Sequence, residues 1–341
     1  MEPRREMEIS MPNNVITIGG SAGAIPSIIE LLKELPKLPN AAIFIAVHVP
    51  SHSPSLLPQI FANSTSMPVM HAQDGLRMKA GSIYIAPPDF HLLIKDGSIQ
   101  LARGAKENHH RPAIDPMFRS AANAYGTNHI AVLLSGYLDD GSAGLLAVKR
   151  SKGTVIVQDP KDTIYPDMPR NALEFVEADC VCRLSEIVPF IMKRLKTEPA
   201  SKPAFDPLVE KEVEMVKITN GDSSGEMPGT ACGLVCPECS GPLWEILEKD
   251  SHLVRYRCHE GHAYSALSLE ASQDEDLEAA LWTALRAMDE KVELAEKLAQ
   301  RAKIMGQDNA VLRFQSRHIK TREQAELLRK LLKEGLTHHK E

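Results

Sequence analysis

The 341-residue sequence lacks several features, and each absence narrows the class of protein. Residues 1–11 are charged and contain no apolar core of the kind that a secretory signal peptide needs. No apolar run is long enough to span a bilayer, and one of the longest, at residues 41–49, is typical of a buried strand. The net charge of −6 argues against a general nucleic-acid-binding protein. We therefore expect a soluble, cytoplasmic protein.

Cysteines are also few, six in the whole sequence, and their spacing does not suggest a disulfide framework. Three of them crowd between Cys232 and Cys239, and a fourth is Cys258. Such clustering fits metal binding in a reducing compartment better than disulfide bonding. The remaining two, Cys180 and Cys182, alternate with apolar residues and are predicted to be buried in a strand.

An alternation of strand and helix patterns runs from residue 14 to about residue 195. Apolar, β-branched runs predict strands at 15–18, 42–49, 129–135 and 154–158, and helical spacing predicts helices at 26–35, 55–63, 117–125 and 142–151. An Asp96-Gly97 turn between two short apolar runs predicts a hairpin. This pattern predicts an α/β fold with a doubly wound, mainly parallel sheet and an added antiparallel hairpin.

The rest of the chain divides into smaller segments. We predict a polar tail (1–13), a catalytic-type domain (14–195), a linker rich in Pro, Lys, Ser and Asp (196–231), a zinc-ribbon-like module (232–270) and a helical hairpin (271–336). Apolar residues of the first C-terminal helix recur at alternating steps of four and three: Leu281, Leu285, Met288, Val292, Ala295, Ala299 and Ala302. This seam either packs the two helices on each other or serves dimerisation or partner docking.

A glycine-rich corner follows the first predicted strand. Gly19, Ser21 and Gly23 have the form G-x-S-x-G, between an apolar strand and a helix. This arrangement is typical of a nucleophile elbow, in which the glycines permit a sharp turn and the serine hydroxyl is exposed. A phosphate- or dinucleotide-binding turn uses similar glycines and is the alternative interpretation.

A nucleophilic serine needs a base and an orienting carboxylate. His48 lies at the end of the second predicted strand, where a parallel neighbour would bring it close to Ser21, although such a histidine can also be purely structural. Asp139 and Asp140 follow the strand at 129–135, and one of them could instead cap the next helix. Other histidines are rival bases: His52, His71, His91, His109 and His110.

A second cluster has the spacing of a metal site. Cys236 and Cys239 form a C-x-x-C pair, and Cys258 and His262 follow about twenty residues later, as in tetrahedral zinc sites. His259 competes with His262, and Cys232 is an outside candidate. Four protein ligands leave no open position, so the expected zinc is structural. The alternative is that reduced cysteines pack as small apolar residues.

Together these motifs resemble the catalytic domain of the CheB family of chemotaxis protein-glutamate methylesterases. The resemblance is distributed over the segments 18–23, 47–50, 74–92, 111–122 and 158–172. It implies that Ser21 is the nucleophile, His48 the base and Asp140 the orienting carboxylate. It also implies an oxyanion site at the Ala22 N–H and the main chain near Tyr137. By the same analogy Arg170 lines the cleft, although an arginine at this position could equally be a surface ion-pair partner.

The implied activity is hydrolysis of glutamate γ-methyl esters on chemoreceptor helices, often with deamidation of glutamine, and it needs no cofactor. The chain departs from the family pattern at Gly136-Tyr137-Leu138, where the family has Gly-Met-Gly, and at Val47, where it has glutamine. Because only about a dozen residues precede the first predicted strand, we also expect this chain to lack the family's N-terminal receiver domain. A non-catalytic signalling scaffold or an esterase for a small ester are therefore the alternatives.

Overall fold

The computed structural model describes residues 11–197, 207–216, 227–248 and 251–334. Most of the predicted tail at 1–13, most of the predicted linker at 196–231 and the end of the predicted hairpin at 335–336 lie outside these ranges. Two compact units are present, residues 1–269 and residues 270–341. Both the parallel sheet and the cysteine-rich module belong to the first unit.

Strands and helices alternate through the first unit. The strands are β1 (Asn14–Gly20), β2 (Ala41–Val47), β3 (Val69–His71), β4 (Ile83–Ile85), β5 (His91–Lys95), β6 (Ser98–Ala102), β7 (His129–Leu133), β8 (Thr154–Gln158), β9 (Cys180–Cys182), β10 (Thr230–Val235), β11 (Pro242–Leu247), β12 (Val254–Cys258) and β13 (Ala263–Ser265). The helices are α1 (Ala24–Glu34), α2 (Leu57–Ala62), α3 (Ile114–Tyr125), α4 (Ser142–Arg150), α5 (Asp167–Phe175), α6 (Leu184–Leu195), α7 (Pro207–Met215), α8 (Ala266–Ile304) and α9 (Asp308–Glu334).

Seven parallel strands form the central sheet in the order β3-β4-β2-β1-β7-β8-β9. All seven residues of β2 are buried, because helices cover both faces of the sheet. Ile16 and Ile18 of β1 face an apolar layer with α1, α2 and α6. Val15 faces the opposite layer, which contains α3, α4 and α5. The predicted doubly wound α/β fold is confirmed.

The predicted antiparallel hairpin is β5-β6, and it forms a separate two-stranded sheet. Its turn is made by Asp96 and Gly97, both of which have positive φ angles, 49° and 72°. Such a turn matches the twist of the two strands. The hairpin packs on α3, where the Ser120 hydroxyl accepts a hydrogen bond from the Ile94 N–H.

A four-stranded antiparallel sheet, β10-β11-β12-β13, makes up the cysteine-rich module. We call residues 227–269 the ribbon. Its small apolar core includes Leu243, Tyr264 and Leu269 beside two buried cysteines. Helix α8 begins at Ala266, directly after β13, five residues before the predicted start of the helical hairpin at residue 271.

The second unit contains most of α8 and the whole of α9, which form the predicted helical hairpin. Gly306, with a φ of 69°, breaks the helix between them. The predicted seam contributes buried residues, among them Leu285 and Ala295. Arg329 of α9 pairs with Asp289 of α8 at 2.6 Å. Within the described ranges, no helix combines the length and the apolar character needed to cross a membrane.

Candidate active site

The corner after β1 is shaped by its glycines. The Ser21 N–H donates a hydrogen bond to the Ser135 carbonyl at 2.9 Å, which ties the corner to the loop after β7. Gly23 has a φ of 75°, and a Cβ there would lie 2.8 Å from the Ser135 hydroxyl and 2.9 Å from the Tyr165 ring. Only glycine therefore fits between Ser21 and α1 without displacing its neighbours.

Ser21, His48 and Asp140 form a continuous chain of hydrogen bonds. His48 Nδ1 lies 3.0 Å from Ser21 Oγ, and His48 Nε2 lies 2.7 Å from Asp140 Oδ2. The strands explain this convergence, because β2, β1 and β7 are neighbours whose carboxyl ends meet at one edge of the sheet. In register, Gly20 lies opposite Val47, the residue before His48.

Asp140 is buried, yet it is well supplied with hydrogen-bond donors. Its Oδ2 accepts from the Ile114 N–H at 2.7 Å, and its Oδ1 accepts from Asn108 Nδ2 at 3.0 Å and from the Asp115 N–H at 3.2 Å. Burial raises the pKa of Asp140, but the contact with His48 and the other donors outweigh burial and hold that pKa below its usual value. The first turn of α3 thus stabilises an ionised carboxylate.

This ionised carboxylate determines which nitrogen of His48 carries the proton. A carboxylate only accepts hydrogen bonds, so His48 Nε2 must be the donor to Asp140. Nδ1 is then unprotonated and faces the Ser21 hydroxyl. This tautomer is the one that can accept a proton from Ser21.

His110 lies directly against His48. The two imidazole rings stack with their centroids 3.5 Å apart and their planes 14° from parallel. Burial, with the charge of His48 adding to it, lowers the pKa of His110 to about 3, so this ring stays neutral at physiological pH. The sequence marked His110 only as a rival base, because no linear pattern reports ring stacking.

The remaining rival histidines do not lie on the Ser21–His48–Asp140 chain. Three of them face backbone carbonyls and one is exposed: His71 Nε2 lies 3.2 Å from the Ser55 carbonyl, His91 Nε2 lies 2.9 Å from the Ala105 carbonyl, His109 Nε2 lies 2.7 Å from the Ser268 carbonyl, and His52 faces solvent. These positions favour His48 as the base.

Asp139, the neighbour that the sequence left open, points away from His48. Its Oδ1 accepts a hydrogen bond from the Ser265 hydroxyl at 2.6 Å. Burial raises the pKa of Asp139 to about 6, against the lowering effect of this hydrogen bond. Asp139 therefore contacts the ribbon, whereas Asp140 contacts the histidine.

The residues expected to form the oxyanion site and the cleft differ in their hydrogen bonds and in their exposure to solvent. Within the described ranges, the Ala22 N–H donates to no protein acceptor, whereas the Gly136 N–H donates to the Tyr165 carbonyl at 3.0 Å. The Tyr137 side chain is half exposed and packs edge-on against Tyr165, with ring centroids 4.9 Å apart. Arg170 is exposed and pairs with Asp167 at 3.3 Å. Of these groups, the Ala22 N–H is the donor available to a developing negative charge.

The four expected metal ligands lie together in the ribbon. One ligand atom from each of Cys236, Cys239, Cys258 and His262 lies within 4.8 Å of the other three. Cys239 Sγ and Cys258 Sγ are 3.7 Å apart, and Cys258 Sγ and His262 Nδ1 are 3.4 Å apart. A tetrahedral zinc site with usual bond lengths has S–S edges of about 3.8 Å and S–N edges of about 3.5 Å. The cluster therefore has the dimensions of a closed Cys₃His site.

The two competing ligands have other contacts. The His259 ring packs edge-on against Trp244, with centroids 4.5 Å apart. Cys232 Sγ lies 3.3 Å from the Leu243 carbonyl and is not part of the cluster. Gly261 has a φ of 94° and provides the sharp turn that lets His262 face Cys258. The structure therefore brings His262, and not His259, to the three thiols.

Comparison with known proteins places this geometry in a family. A family model described as CheB methylesterase matches residues 16–191, which include Ser21, His48 and Asp140. The chain belongs to the CheB methylesterase family. The match ends at residue 191, before the Cys₃His cluster.

Individual members of the CheB family cover the same region. A relative from Leptospira interrogans is 33% identical over 184 residues, which are 54% of this chain and 95% of the relative. The protein-glutamate methylesterase/protein-glutamine glutaminase 3 of Burkholderia lata is 38% identical over 188 residues, and the match spans about half of its length, 51%. The crystal structure of the Thermotoga maritima CheB methylesterase catalytic domain matches with a TM-score of 0.50 and 33% identity, covering 53% of this chain and 97% of that domain.

Proposed function

We propose that this chain is a protein-glutamate methylesterase that hydrolyses glutamate γ-methyl esters of chemoreceptors and also deamidates glutamine side chains. The observation that carries the proposal is the unbroken hydrogen-bond chain from Ser21 through His48 to Asp140 in a member of the CheB methylesterase family. In the first step, Ser21 Oγ attacks the ester carbonyl carbon while His48 Nδ1 takes the hydroxyl proton. Asp140 stabilises the imidazolium that forms.

The tetrahedral intermediate carries its negative charge on the former carbonyl oxygen. The Ala22 N–H, at the start of the turn into α1, is the proposed donor to that oxygen. The intermediate collapses, the C–OCH₃ bond breaks, and His48 gives its proton to the leaving methoxide to form methanol. Water, deprotonated by His48, then hydrolyses the acyl-Ser21 ester and releases glutamate. For glutamine the leaving group is ammonia.

The alternatives receive less support from the site. A non-catalytic scaffold would not require a buried, ionised carboxylate to hold one tautomer of a histidine beside a serine. The unusual segment at Gly136-Tyr137-Leu138 keeps its first glycine, where a Cβ would lie 2.9 Å from the Ser21 Cβ. The altered residues, Tyr137 and Leu138, therefore leave in place the glycine that packs closely against Ser21.

The test is methanol release from a methylated chemoreceptor fragment. Wild-type protein should release methanol, and Ser21→Ala should not. Ser66→Ala, which removes an exposed serine, is the matched control and should behave as wild type. Equal release from wild type and Ser21→Ala would refute the proposal. Hydrolysis of small methyl esters without hydrolysis of the receptor would favour the esterase for a small ester.

We further propose that the Cys₃His cluster binds one structural zinc ion. Four protein ligands fill a tetrahedral zinc, so the ion would stabilise the ribbon and leave no position for substrate. Metal analysis should find about one zinc per chain, and the double variant Cys236→Ser with Cys239→Ser should lose it. Cys232→Ser is the control and should retain zinc. Wild-type protein without bound zinc would contradict this assignment.

The cytoplasm, where methylated receptor helices and reduced cysteines are found together, is the proposed location. The helical hairpin is the proposed dimerisation or docking element. Its support is the number of large apolar side chains that α8 and α9 leave exposed, including Leu294, Leu312 and Leu327. Sedimentation of the full chain tests the dimer, and a purely monomeric species at all concentrations would leave docking to a partner as the proposal.

A further inference from the structure

The ribbon is joined to the catalytic domain through the segment that leads into α3, residues 106–110. The Asn108 N–H donates to the Ala263 carbonyl at 2.8 Å, and the Ala263 N–H donates to the Lys106 carbonyl at 3.2 Å. Strand β13 of the ribbon therefore pairs with the backbone of this segment. His110, which stacks on His48, lies at the end of the same segment.

A buried ion-pair network joins the same two parts. Glu107 pairs with Arg257 of the ribbon at 2.7 Å and with Arg119 of α3 at 2.5 Å. All three side chains are at most 2% exposed. A buried charge that loses its partner is strongly destabilising, so this network makes separation of the ribbon from the domain costly. It therefore fixes Glu107, the residue that precedes Asn108.

Asn108 lies between the ribbon and the catalytic carboxylate. Its Nδ2 donates to Asp140 Oδ1 at 3.0 Å and to Asp115 Oδ2 at 3.1 Å. Its Oδ1 accepts from the Ser265 N–H at 3.0 Å and from the Ser268 hydroxyl at 2.9 Å. This orientation of the amide is determined, because the ionised Asp140 carboxylate can only accept and the Ser265 N–H can only donate. The side chain is thus fixed at both ends.

The backbone at Asn108 requires its own residue type. Its φ of 47° lies in the left-handed region, which asparagine tolerates better than most residues. The ribbon also reaches the neighbouring aspartate, since the Ser265 hydroxyl donates to Asp139 at 2.6 Å. Two consecutive residues of the loop after β7, Asp139 and Asp140, are therefore connected to the ribbon, one directly and one through Asn108.

Two ligands of the Cys₃His cluster are close in sequence to the residues that make these contacts. Arg257, which reaches Glu107, immediately precedes the ligand Cys258. Ser265, which reaches Asn108 and Asp139, follows the ligand His262 by three residues in β13. A metal held by Cys258 and His262 would therefore fix the two strands, β12 and β13, from which Arg257 and Ser265 contact the catalytic domain.

We propose that Asn108 is a positioning residue through which the metal-loaded ribbon keeps the Asp140 carboxylate hydrogen-bonded to His48 Nε2. Zinc occupancy of the ribbon would then control the reactivity of Ser21. The inference rests on the proposed esterase function and on the proposed zinc ion. Without the metal, β12 and β13 lose their common anchor, Asn108 loses its two donors from the ribbon, and Asp140 loses a fixed donor. The ribbon thereby acts on the reaction without touching the substrate.

The test uses the full chain and two independent readouts. The first is the rate at which a fluorophosphonate labels Ser21, which reports activation of the serine without any receptor substrate. The second is kcat and KM for methanol release. The proteins are zinc-loaded wild type, chelator-treated wild type before and after zinc is restored, Asn108→Ala, Ser268→Ala, and the control Thr230→Ala, which alters an exposed residue of β10.

Chelation should slow labelling, and added zinc should restore it. Because a hydrogen bond to a charged group is lost, Asn108→Ala should lower the labelling rate and kcat by about ten- to a hundredfold while it retains zinc. Ser268→Ala should have a smaller effect, since the Ser265 N–H still holds Asn108. KM should not change in either variant, because Asn108 is buried below the triad. Thr230→Ala should match wild type in every measurement.

Several outcomes would overturn the proposal. Wild-type labelling rates in the zinc-retaining variants Asn108→Ala and Ser268→Ala would show that the ribbon does not act through Asn108. An unchanged rate after complete removal of zinc would show that the metal does not act on Ser21 at all. If labelling responds as expected but no methylated receptor is hydrolysed, the coupling stands and the proposed function alone fails.

Discussion

Replacing Asp140 by asparagine is the sharpest test of the proposed triad. Four N–H donors converge on this carboxylate, from His48, Ile114, Asn108 and the backbone of Asp115. An amide offers one acceptor oxygen where the carboxylate offers two, so its NH₂ group must face donors on one side. The side that it faces determines the tautomer of His48.

Two orientations of the new amide can be compared. If its oxygen faces His48, its NH₂ group faces the N–H groups of Asn108 and Asp115, and both of these donors lose their acceptor. If its NH₂ group faces His48 instead, only the Ile114 N–H loses its acceptor. Each buried unpaired donor costs about 1–3 kcal/mol, so the second orientation is favoured. His48 would then accept at Nε2 and carry its proton on Nδ1, where it cannot take the Ser21 proton.

Loss of the correct tautomer and of the negative charge beside the imidazolium should act together. In serine-histidine-aspartate triads this substitution lowers kcat by about 10⁴-fold, or about 5 kcal/mol of transition-state stabilisation. We expect a loss of this size for Asp140→Asn, with an unchanged circular dichroism spectrum because the side chain keeps its shape. Initial rates of methanol release from a methylated receptor fragment measure it.

Asp139→Asn is the matched control for this experiment. Asp139 contacts Ser265 and not His48, and an amide oxygen can still accept that hydrogen bond. We expect its kcat to stay within a few-fold of wild type, because ordinary substitutions away from reacting groups cost little. A rate for Asp140→Asn within threefold of wild type, or an equal loss in Asp139→Asn, would refute the reasoning about the tautomer.

Three further predictions concern neighbouring groups. His110→Phe should keep most of the activity, because an aromatic ring still stacks on His48. His110→Ala should lower kcat about tenfold, because that stacking is lost, and steady-state kinetics distinguish the two variants. Burial raises the pKa of Asp139 from 3.8 to about 6. As the pH rises through this window, the free energy of unfolding of wild type should therefore fall by up to about 3 kcal/mol relative to that of Asp139→Asn. Urea unfolding at several pH values measures this difference, and it would show no such trend if the pKa of Asp139 were unshifted. Gly23→Ala should slow fluorophosphonate labelling of Ser21 at least tenfold, since the new Cβ meets the Ser135 hydroxyl at 2.8 Å, and normal labelling would contradict this.

Local patterns in the sequence accounted for most of the fold. Strand β2 is a continuous apolar run because helices cover both of its faces, and the turn at Asp96 and Gly97 has the composition that its positive φ angles require. Helix α6, at Leu184–Leu195, was not predicted. It contains Pro189, which is usually a sign that a helix ends.

The choice between competing residues was beyond the sequence. Asp139 and Asp140 are adjacent and equally acidic, and spacing left both open as partners of His48 until the resemblance to the family favoured one. The structure separates them because the chain turns between strand β7 and helix α4, and α3 presents its first N–H groups to Asp140 alone. The sequence likewise left both His259 and His262 open as metal ligands. In the structure the turn at Gly261 directs His262 to the three thiols, whereas the His259 ring packs against Trp244.

What the sequence determined by itself was the set of chemical groups and their local geometry: a serine in a glycine corner, a histidine and aspartates after apolar strands, and a C-x-x-C pair with its later partners. These features depend on neighbours a few residues away, and short-range patterns report them. Tertiary structure alone decided which groups meet. Three contacts join residues far apart in the chain: the bridge from Asn108 to Ser265, the stacking of His110 on His48, and the hydrogen bonds that hold the pKa of Asp140 below its usual value. Such contacts are set by how the packed layers align.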